Sequence, residues 1–183
     1  MTSYPAEPWH LYGHAYVGVF WVRRRPVVAA FFVYEQPSPL AYHEVMVTRL
    51  VRRRLRPYVE ITHIWVNSSA SRDGGRELWA IPKELADFDV RPHASYVAEG
   101  IGSVWIERAR VLPFRLPFGF STFQALDGLT RRTPVRGSAR IGPARARWDF
   151  DAHGALRHLA GRRPLLSLAV RDFRLTFGRA RGR

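Results

Sequence analysis

The sequence predicts a mainly β fold of the α+β class: an antiparallel sheet closed, or nearly closed, into a barrel, with a few short helices. Three observations carry this. Short runs rich in Val, Ile, Phe, Tyr and Trp recur at close intervals. Charged or Pro-containing turns separate the first of them. Alternating βα units, the mark of a doubly wound or TIM-type sheet, do not occur. Closure is one way for many short strands to hide their edges.

The elements follow in order. Residues 1–13 read as an extended arm with Pro5 and Pro8. Strands are predicted over Ala15–Val22, Val27–Tyr34, Glu44–Val51 and Tyr58–Val66. Arg23 to Pro26 makes a charged hairpin turn between the first pair, and Gln36 to Pro39 a loop after the second. Asn67 to Arg76 is polar and small, with Gly74-Gly75 near its end, and reads as a loop or tight turn. Pro82 suits a first helical position, so a short helix is expected from there, with Lys83 in its first turn. Further strands are expected at Ser95–Glu99 and Gly102–Val111. Leu112–Phe120, with Pro113, Pro117 and Gly119, reads as irregular. Ser121–Leu129 reads as a helix capped by Ser121. Trp148–Asp151 reads as strand into turn, and Asp151–Ala160 as a helix ended by Gly161. Leu165–Phe177 is a long strand whose apolar parity changes between Val170 and Phe173, which predicts a bulge near Arg171-Asp172. The expected organisation is one domain over 1–177 and a basic tail over 178–183.

Composition narrows the function. A chain of 183 residues, 46% hydrophobic, has the material for a core and can bury roughly 70% of its extended surface. The absence of cysteine excludes disulfide scaffolds, zinc ribbons, Cys-ligated clusters and thiol nucleophiles. Residues 1–9 show no signal-peptide pattern. The longest nearly apolar run, Pro26 to Tyr34, falls far short of the roughly 20 residues of a membrane span. A soluble, cytoplasmic protein without a membrane partner is the expectation. The formal charge is +14, and 11 of those units lie in residues 131–183. Of the 29 basic residues only one is a lysine, Lys83. Codon bias accounts for the scarcity but not for the position of the survivor.

The segment Gly75-Arg76-Glu77-Leu78-Trp79-Ala80-Ile81-Pro82-Lys83 resembles the active-site lysine segment of the acetoacetate decarboxylases. Tyr42-His43-Glu44 resembles that family's Tyr-x-Glu element at nearly the family's spacing, and Pro8-Trp9-His10-Leu11 looks like its start. The likeness covers about residues 8–90. It implies a cone-like antiparallel β-barrel, usually assembled into homo-oligomers, with Lys83 as Schiff-base lysine and Glu44 as an acidic residue of the same cavity. Three positions depart from the pattern. Glu84 stands where the classical enzymes carry a second lysine, His14 where an arginine is expected in the N-terminal arm, and the apolar Ala29 near the place of a second family glutamate, with Glu35 close by but out of register.

The implied chemistry follows from elementary principles. Decarboxylating a β-keto acid leaves an electron pair on the α-carbon, and an iminium formed with lysine accepts it. Only a neutral amine attacks the ketone. Lowering a lysine from about 10.4 to near 7 requires roughly 4 kcal/mol, which burial or a nearby cation can supply. Trp79, Ile81 and Leu85 are apolar neighbours suited to desolvation. Glu84 would oppose it if it faced Lys83, but on a helix adjacent residues diverge by about 100°.

The site expected on these grounds has Lys83 and Glu44 as catalytic residues, with Arg76, His14 and Trp79 as substrate contacts. Arg76 could equally pair with Glu77, or hold a substrate carboxylate in fork geometry. Lys83 could instead be an exposed helix-start lysine, and Glu44 a polar residue on a wet strand face. His10 and His14 have a helical metal spacing but lie in an extended segment without an evident third ligand, so no metal is expected. No dissociable cofactor is required, because the lysine is the electron sink. The leading reading is a lyase that forms a Schiff base with a small keto acid, by decarboxylation or related aldol or dehydration chemistry. The alternative is a non-catalytic member that binds a small ligand in the same pocket. A basic nucleic-acid-binding module ranks third, because no nucleic-acid motif accompanies the C-terminal arginines.

Overall fold

The computed structural model describes residues 4–182; Met1 to Ser3 of the predicted arm and Arg183 of the predicted tail lie outside them. Eleven strands and one helix are present among the described residues: β1 (Trp9–Val22), β2 (Arg25–Glu35), β3 (Tyr42–Arg53), β4 (Arg56–Val66), α1 (Ser69–Trp79), β5 (Lys83–Leu85), β6 (Phe88–Arg91), β7 (Ser95–Ala98), β8 (Gly102–Ala109), β9 (Leu116–Leu126), β10 (Leu129–Phe150) and β11 (Leu166–Phe177). Seven of them form a ring in the order β11-β1-β2-β3-β4-β9-β10, closed by pairing of β10 with β11. The expected closed, largely antiparallel sheet is therefore present.

Local sequence explains the meander. Arg23-Arg24, Arg54-Leu55 and Asp127-Gly128 all take positive φ and join β1 to β2, β3 to β4 and β9 to β10 by two-residue turns. Turns of this kind match the right-handed twist of the flanking strands. Alternation then divides each strand between two faces. On β2, Val28, Ala30, Phe32 and Tyr34 face the ring's interior. Ala29, Phe31 and Val33 face a second apolar cluster with Tyr16, Phe20 and Trp148. That outer cluster is covered by a small sheet of β6, β7 and β8 and by Leu156 and Leu159. The second half of β10 pairs with β8, so this strand links the ring to its outer cover.

The predicted bulge near Arg171-Asp172 is found. Asp172 has a φ of 48°, and register shifts occur between Gly13 and Ala15 and between Ser138 and Arg140, where β1 and β10 meet β11. Gly13 has a φ of 148°, and a Cβ there would lie 1.9 Å from the Val33 carbonyl oxygen, so glycine is required.

Several helix expectations are corrected. Lys83–Leu85 is a strand rather than the start of a helix. The helix lies earlier, over Ser69–Trp79, where a loop was expected. Ser121–Leu129 is the end of β9, the Asp127-Gly128 turn and the start of β10, because the turn dipeptide outweighs the Ser121 cap signal. Asp151–Ala160 is a chain of tight turns with i to i−3 hydrogen bonds, such as Leu159 N–H to the Leu156 carbonyl. It needs only to press Leu156 and Leu159 onto the outer cluster. Part of the irregular stretch is strand: β9 begins at Leu116. Pro117 and Gly119 are tolerated because β9 pairs there with β10 on one side and meets β4 only later, at Thr122.

The C-terminal residues lie along β10. Arg181 and Arg132 exchange two backbone hydrogen bonds, and the Ala180 N–H donates to Glu7.

Candidate functional site

The ring has one weak seam. β4 and β9 run parallel and meet at a single residue pair, Val59 and Thr122. Further along, the free edge of β4 pairs with β5 instead, Ile64 opposite Lys83 and Val66 opposite Leu85. The lysine segment thus enters the wall of the ring where the strands part. Alternation on β5 then sends Lys83 inward and Glu84 outward. Glu84 accepts from the Trp65 indole N–H at 3.1 Å, so it does not face the lysine.

Helix α1 delivers β5 to this edge. Ser68 caps it, accepting from the Ser71 N–H. It ends at Ala80, in the left-handed region, whose N–H bonds to the Arg76 carbonyl while the Ile81 N–H bonds to that of Gly75. The buried stripe is Ser71, Gly74, Gly75 and Trp79, a helical spacing. Both glycines are close-approach positions. A Cβ on Gly74 would lie 2.8 Å from the Trp9 ring, and one on Gly75 would lie 2.6 Å from Lys83 Cδ. The first glycine of the family-like motif therefore makes room for the stem of the lysine.

Lys83 is 4% exposed and Glu44 3%. The ammonium spends its three donors locally: on Glu44 Oε2 at 2.9 Å, on Ser71 Oγ at 2.9 Å and on Tyr42 Oη at 3.3 Å. The Tyr34 hydroxyl donates to the other Glu44 oxygen at 2.8 Å, and its ring stacks on that of Tyr42. Burial pulls the Lys83 ammonium down, but the charge of Glu44 and the hydrogen bonds that Lys83 donates to Glu44 and Tyr42 outweigh it and leave Lys83 above its ordinary value. This differs from the expectation of a lysine lowered by desolvation, because the carboxylate is in direct contact. Burial pushes the Tyr42 hydroxyl up to about 12, with Lys83 opposing the rise. Burial also raises Tyr34, reinforced by Glu44.

The pair opens on a cavity of about 360 Å³ inside the ring. Its walls are apolar, with Trp9, Phe32, Ile61, Ile81, Phe118 and Phe173 among them. Among the described residues that line it, Lys83 is the only cation and Glu44 the only carboxylate. The cavity size is within the range of small-molecule sites.

The other expected site residues lie at varied distances from this pair. Trp79 lines the cavity, and its indole N–H donates to the Gly178 carbonyl. Of its apolar companions Ile81 lines the cavity, whereas Leu85 is exposed. Arg76 stands behind the lysine rather than in the cavity. Its guanidinium donates to the Lys83 carbonyl oxygen and to Asp127, not to Glu77, which takes the Tyr4 hydroxyl instead. His14 is buried but outside the cavity, with Nδ1 3.0 Å from Glu35 Oε1 and Nε2 2.9 Å from Tyr96 Oη. His10 Nδ1 lies beside Thr176 Oγ1. Ser71 and Tyr34 were not singled out by the sequence. Tyr42 was noted only as part of a motif.

Comparison with known proteins agrees with this architecture. The acetoacetate decarboxylase of Legionella pneumophila subsp. pneumophila str. Philadelphia 1 superposes with a TM-score of 0.73 at 13% identity, over 100% of this chain and 90% of that one. The enduracididine biosynthesis enzyme MppR, complexed with pyruvate, gives 0.63 at 13% identity, over 98% and 91%. An acetoacetate decarboxylase-like enzyme from Sphingomonas wittichii RW1 gives 0.62 at 13% identity, over 97% and 93%. At these identities the likeness is one of fold. No curated protein matches the sequence. The family model described as acetoacetate decarboxylase matches residues 18–112, a span that holds the end of β1, all of β2 to β4, α1, Glu44 and Lys83. Since that span is more than half of the sequence, the chain belongs to the acetoacetate decarboxylase family.

Proposed function

We propose that the protein is a Schiff-base decarboxylase that acts on a 3-oxo acid through Lys83. The observation that carries this reading is a buried lysine amine, the only one of the chain, in contact with a buried carboxylate at the wall of an apolar cavity.

The steps assign each group a role. Glu44 takes a proton from Lys83, and the neutral amine adds to the ketone carbon. Loss of water leaves an iminium on Nζ. The bond to the carboxylate breaks, carbon dioxide departs, and its electron pair becomes the enamine. The first proton having left with the carbonyl oxygen as water, Glu44 takes up one from solvent and passes it to the α-carbon, and water then releases the methyl ketone and Lys83. Transfer of the proton within the Lys83–Glu44 pair gives two neutral groups, which the apolar surroundings favour relative to water. Tyr34 and Ser71 hold Glu44 and Lys83 in place.

The cavity wall favours decarboxylation over aldol or dehydration chemistry on a retained carboxylate. No arginine or second lysine among the described lining residues stands ready to hold that group. An apolar wall destabilises the carboxylate and accepts the neutral products. Ligand binding without covalent chemistry is the second reading. It is favoured by the Glu44 contact, which stabilises the unreactive ammonium.

Intact-mass spectrometry after incubation with acetoacetate and borohydride tests the proposal. A reduced adduct on the wild type, absent from Lys83→Ala, is expected. A folded wild-type protein that gives no adduct with acetoacetate or longer 3-oxo acids would leave the binding reading in its place.

A further inference from the structure

The cavity is larger than acetoacetate needs. Its volume of about 360 Å³ equals roughly twelve times the share of one water in the liquid. Acetoacetate has about seven non-hydrogen atoms, so at that share per atom it fills little more than half. The remainder would be left to water, yet the walls there offer water few partners.

The unfilled part has a direction. Trp79 of α1 and Trp9 against that helix, both nearly inaccessible, lie at the lysine end. From Glu44 the interior face of β3 continues through Met46 to Thr48. Met46 is opposite Ala30 on β2, and Ala30 is opposite Val17 on β1. Thr48 is opposite Val28 and Ile61. At about 3.3 Å per residue, Glu44 and Thr48 are about 13 Å apart along the strand. An extended chain advances about 1.2 Å per bond, so this length accommodates about ten bonds. The small side chain of Ala30 keeps the middle of the passage open between Val17 and Met46.

We infer that the site takes 3-oxo acids with an apolar tail, of the size of 3-oxooctanoate, in preference to acetoacetate. This rests on the Schiff-base reading of Lys83. The ketone carbon sits at Nζ, and the tail lies along Met46 and Ala30 toward Thr48. The bond between the carboxylate and the α-carbon breaks, its electrons pass to the iminium, a proton taken from solvent reaches the α-carbon through Glu44, and from 3-oxooctanoate the products are carbon dioxide and 2-heptanone. Each methylene moved from water to an apolar wall favours binding by about fourfold. Ordering of the tail offsets part of that gain.

The test measures carbon dioxide release and borohydride trapping with acetoacetate, 3-oxohexanoate and 3-oxooctanoate. Lys83→Ala supplies the background of spontaneous decarboxylation. The expected result is a kcat/KM at least tenfold higher for 3-oxooctanoate than for acetoacetate. Ala30→Phe, or Val28→Phe should the first fail to fold, is expected to shift the preference back toward acetoacetate. Trapping of acetoacetate with equal or higher efficiency would overturn the tail inference and leave the Schiff-base reading standing. An unchanged preference in a folded Ala30→Phe or Val28→Phe variant would also overturn it. Absence of any Lys83-dependent adduct or carbon dioxide from all three acids would overturn the Schiff-base reading, and this inference with it.

Discussion

Two contacts of the Lys83 side chain bear on the proposed chemistry. The first is with Gly75, where a Cβ would lie within 3 Å of both Cδ and Cε of the lysine. Gly75→Ala must displace the lysine stem, because the helix backbone that carries the new methyl is fixed at both ends by its cap and its C-terminal turn. A displacement of this kind can reduce turnover by about 100-fold. The expected outcome is slow borohydride trapping from a protein with an unchanged thermal transition; wild-type trapping rates would refute the role given to the glycine. The second contact is with Glu44. Burial lowers Lys83 while Glu44, and after it Tyr42, raise it, so Glu44→Gln removes the largest opposition to burial and the amine becomes neutral at lower pH. Because Lys83 is the only lysine, acylation followed by peptide mass mapping, which separates it from the α-amino group, reads this directly. The variant's acylation profile is expected to move to lower pH, and superimposable profiles would show that Glu44 does not control the amine. Both contacts were within reach of the sequence motif, which fixed Gly75, Glu44 and Lys83 by type and spacing. Ser71 was not. It belongs to no short motif, and its signal is the helical stripe it forms with Gly74, Gly75 and Trp79. Two glycines in succession, each costing a helix about 1 kcal/mol relative to alanine, masked that stripe as a loop.

The elements that carried a strong local pattern were legible and those that depended on partners were not. The first four strands follow from their runs of Val, Ile, Phe, Tyr and Trp, and the bulge near Asp172 from the change of apolar parity. The three-residue strand β5 exists because β4 offers it an edge, which no propensity of Pro82-Lys83-Glu84 reveals. The seam that provides this edge is itself thinly held. Beyond the Val59–Thr122 pair it depends on Gln124, which is 3% exposed. With its amide oriented so that Oε1 accepts from the Ile61 N–H at 2.9 Å and the amide nitrogen donates to the Phe123 carbonyl, Gln124 continues the ladder that β9 and β4 no longer share. Gln124→Leu keeps the bulk and removes both bonds, leaving the Ile61 N–H without a partner. The expected loss is about 1–3 kcal/mol, read as a lower denaturant midpoint, together with faster hydrogen exchange at Ile61. An unchanged midpoint and unchanged exchange would mean that the strands hold the seam without the side chain.

At the scale of the whole molecule, the ring and its outer cover enclose, wholly or in part, ionisable groups whose shifts set opposite limits on stability. His14, His43, His63 and His158 are all lowered from 6.5, with burial the largest cause in each. In the unfolded chain they take up protons as the pH falls below about 6.5, while the folded protein does so only further down. The unfolded state then binds more protons, so stability falls with decreasing pH. Tyr16, Tyr34, Tyr42 and Tyr96 are raised above 10.0, again with burial first. They lose protons from about pH 10 in the unfolded chain but resist in the folded one, so stability falls as the pH rises. Lys83, also raised, adds to this alkaline loss because its ammonium is held longer in the folded state. The stability maximum is therefore expected between about pH 6.5 and about pH 10, and urea midpoints at about pH 5, 8 and 11 should be lower at both ends than in the middle. The alkaline limb carries its own signature. The phenolate absorbance of the buried tyrosines should appear together with loss of tertiary structure, whereas the more exposed tyrosines titrate before it. Full tyrosine ionisation near pH 10 with the fold intact would show that the ring and its cover admit water, and would remove the desolvation on which the proposed decarboxylation depends.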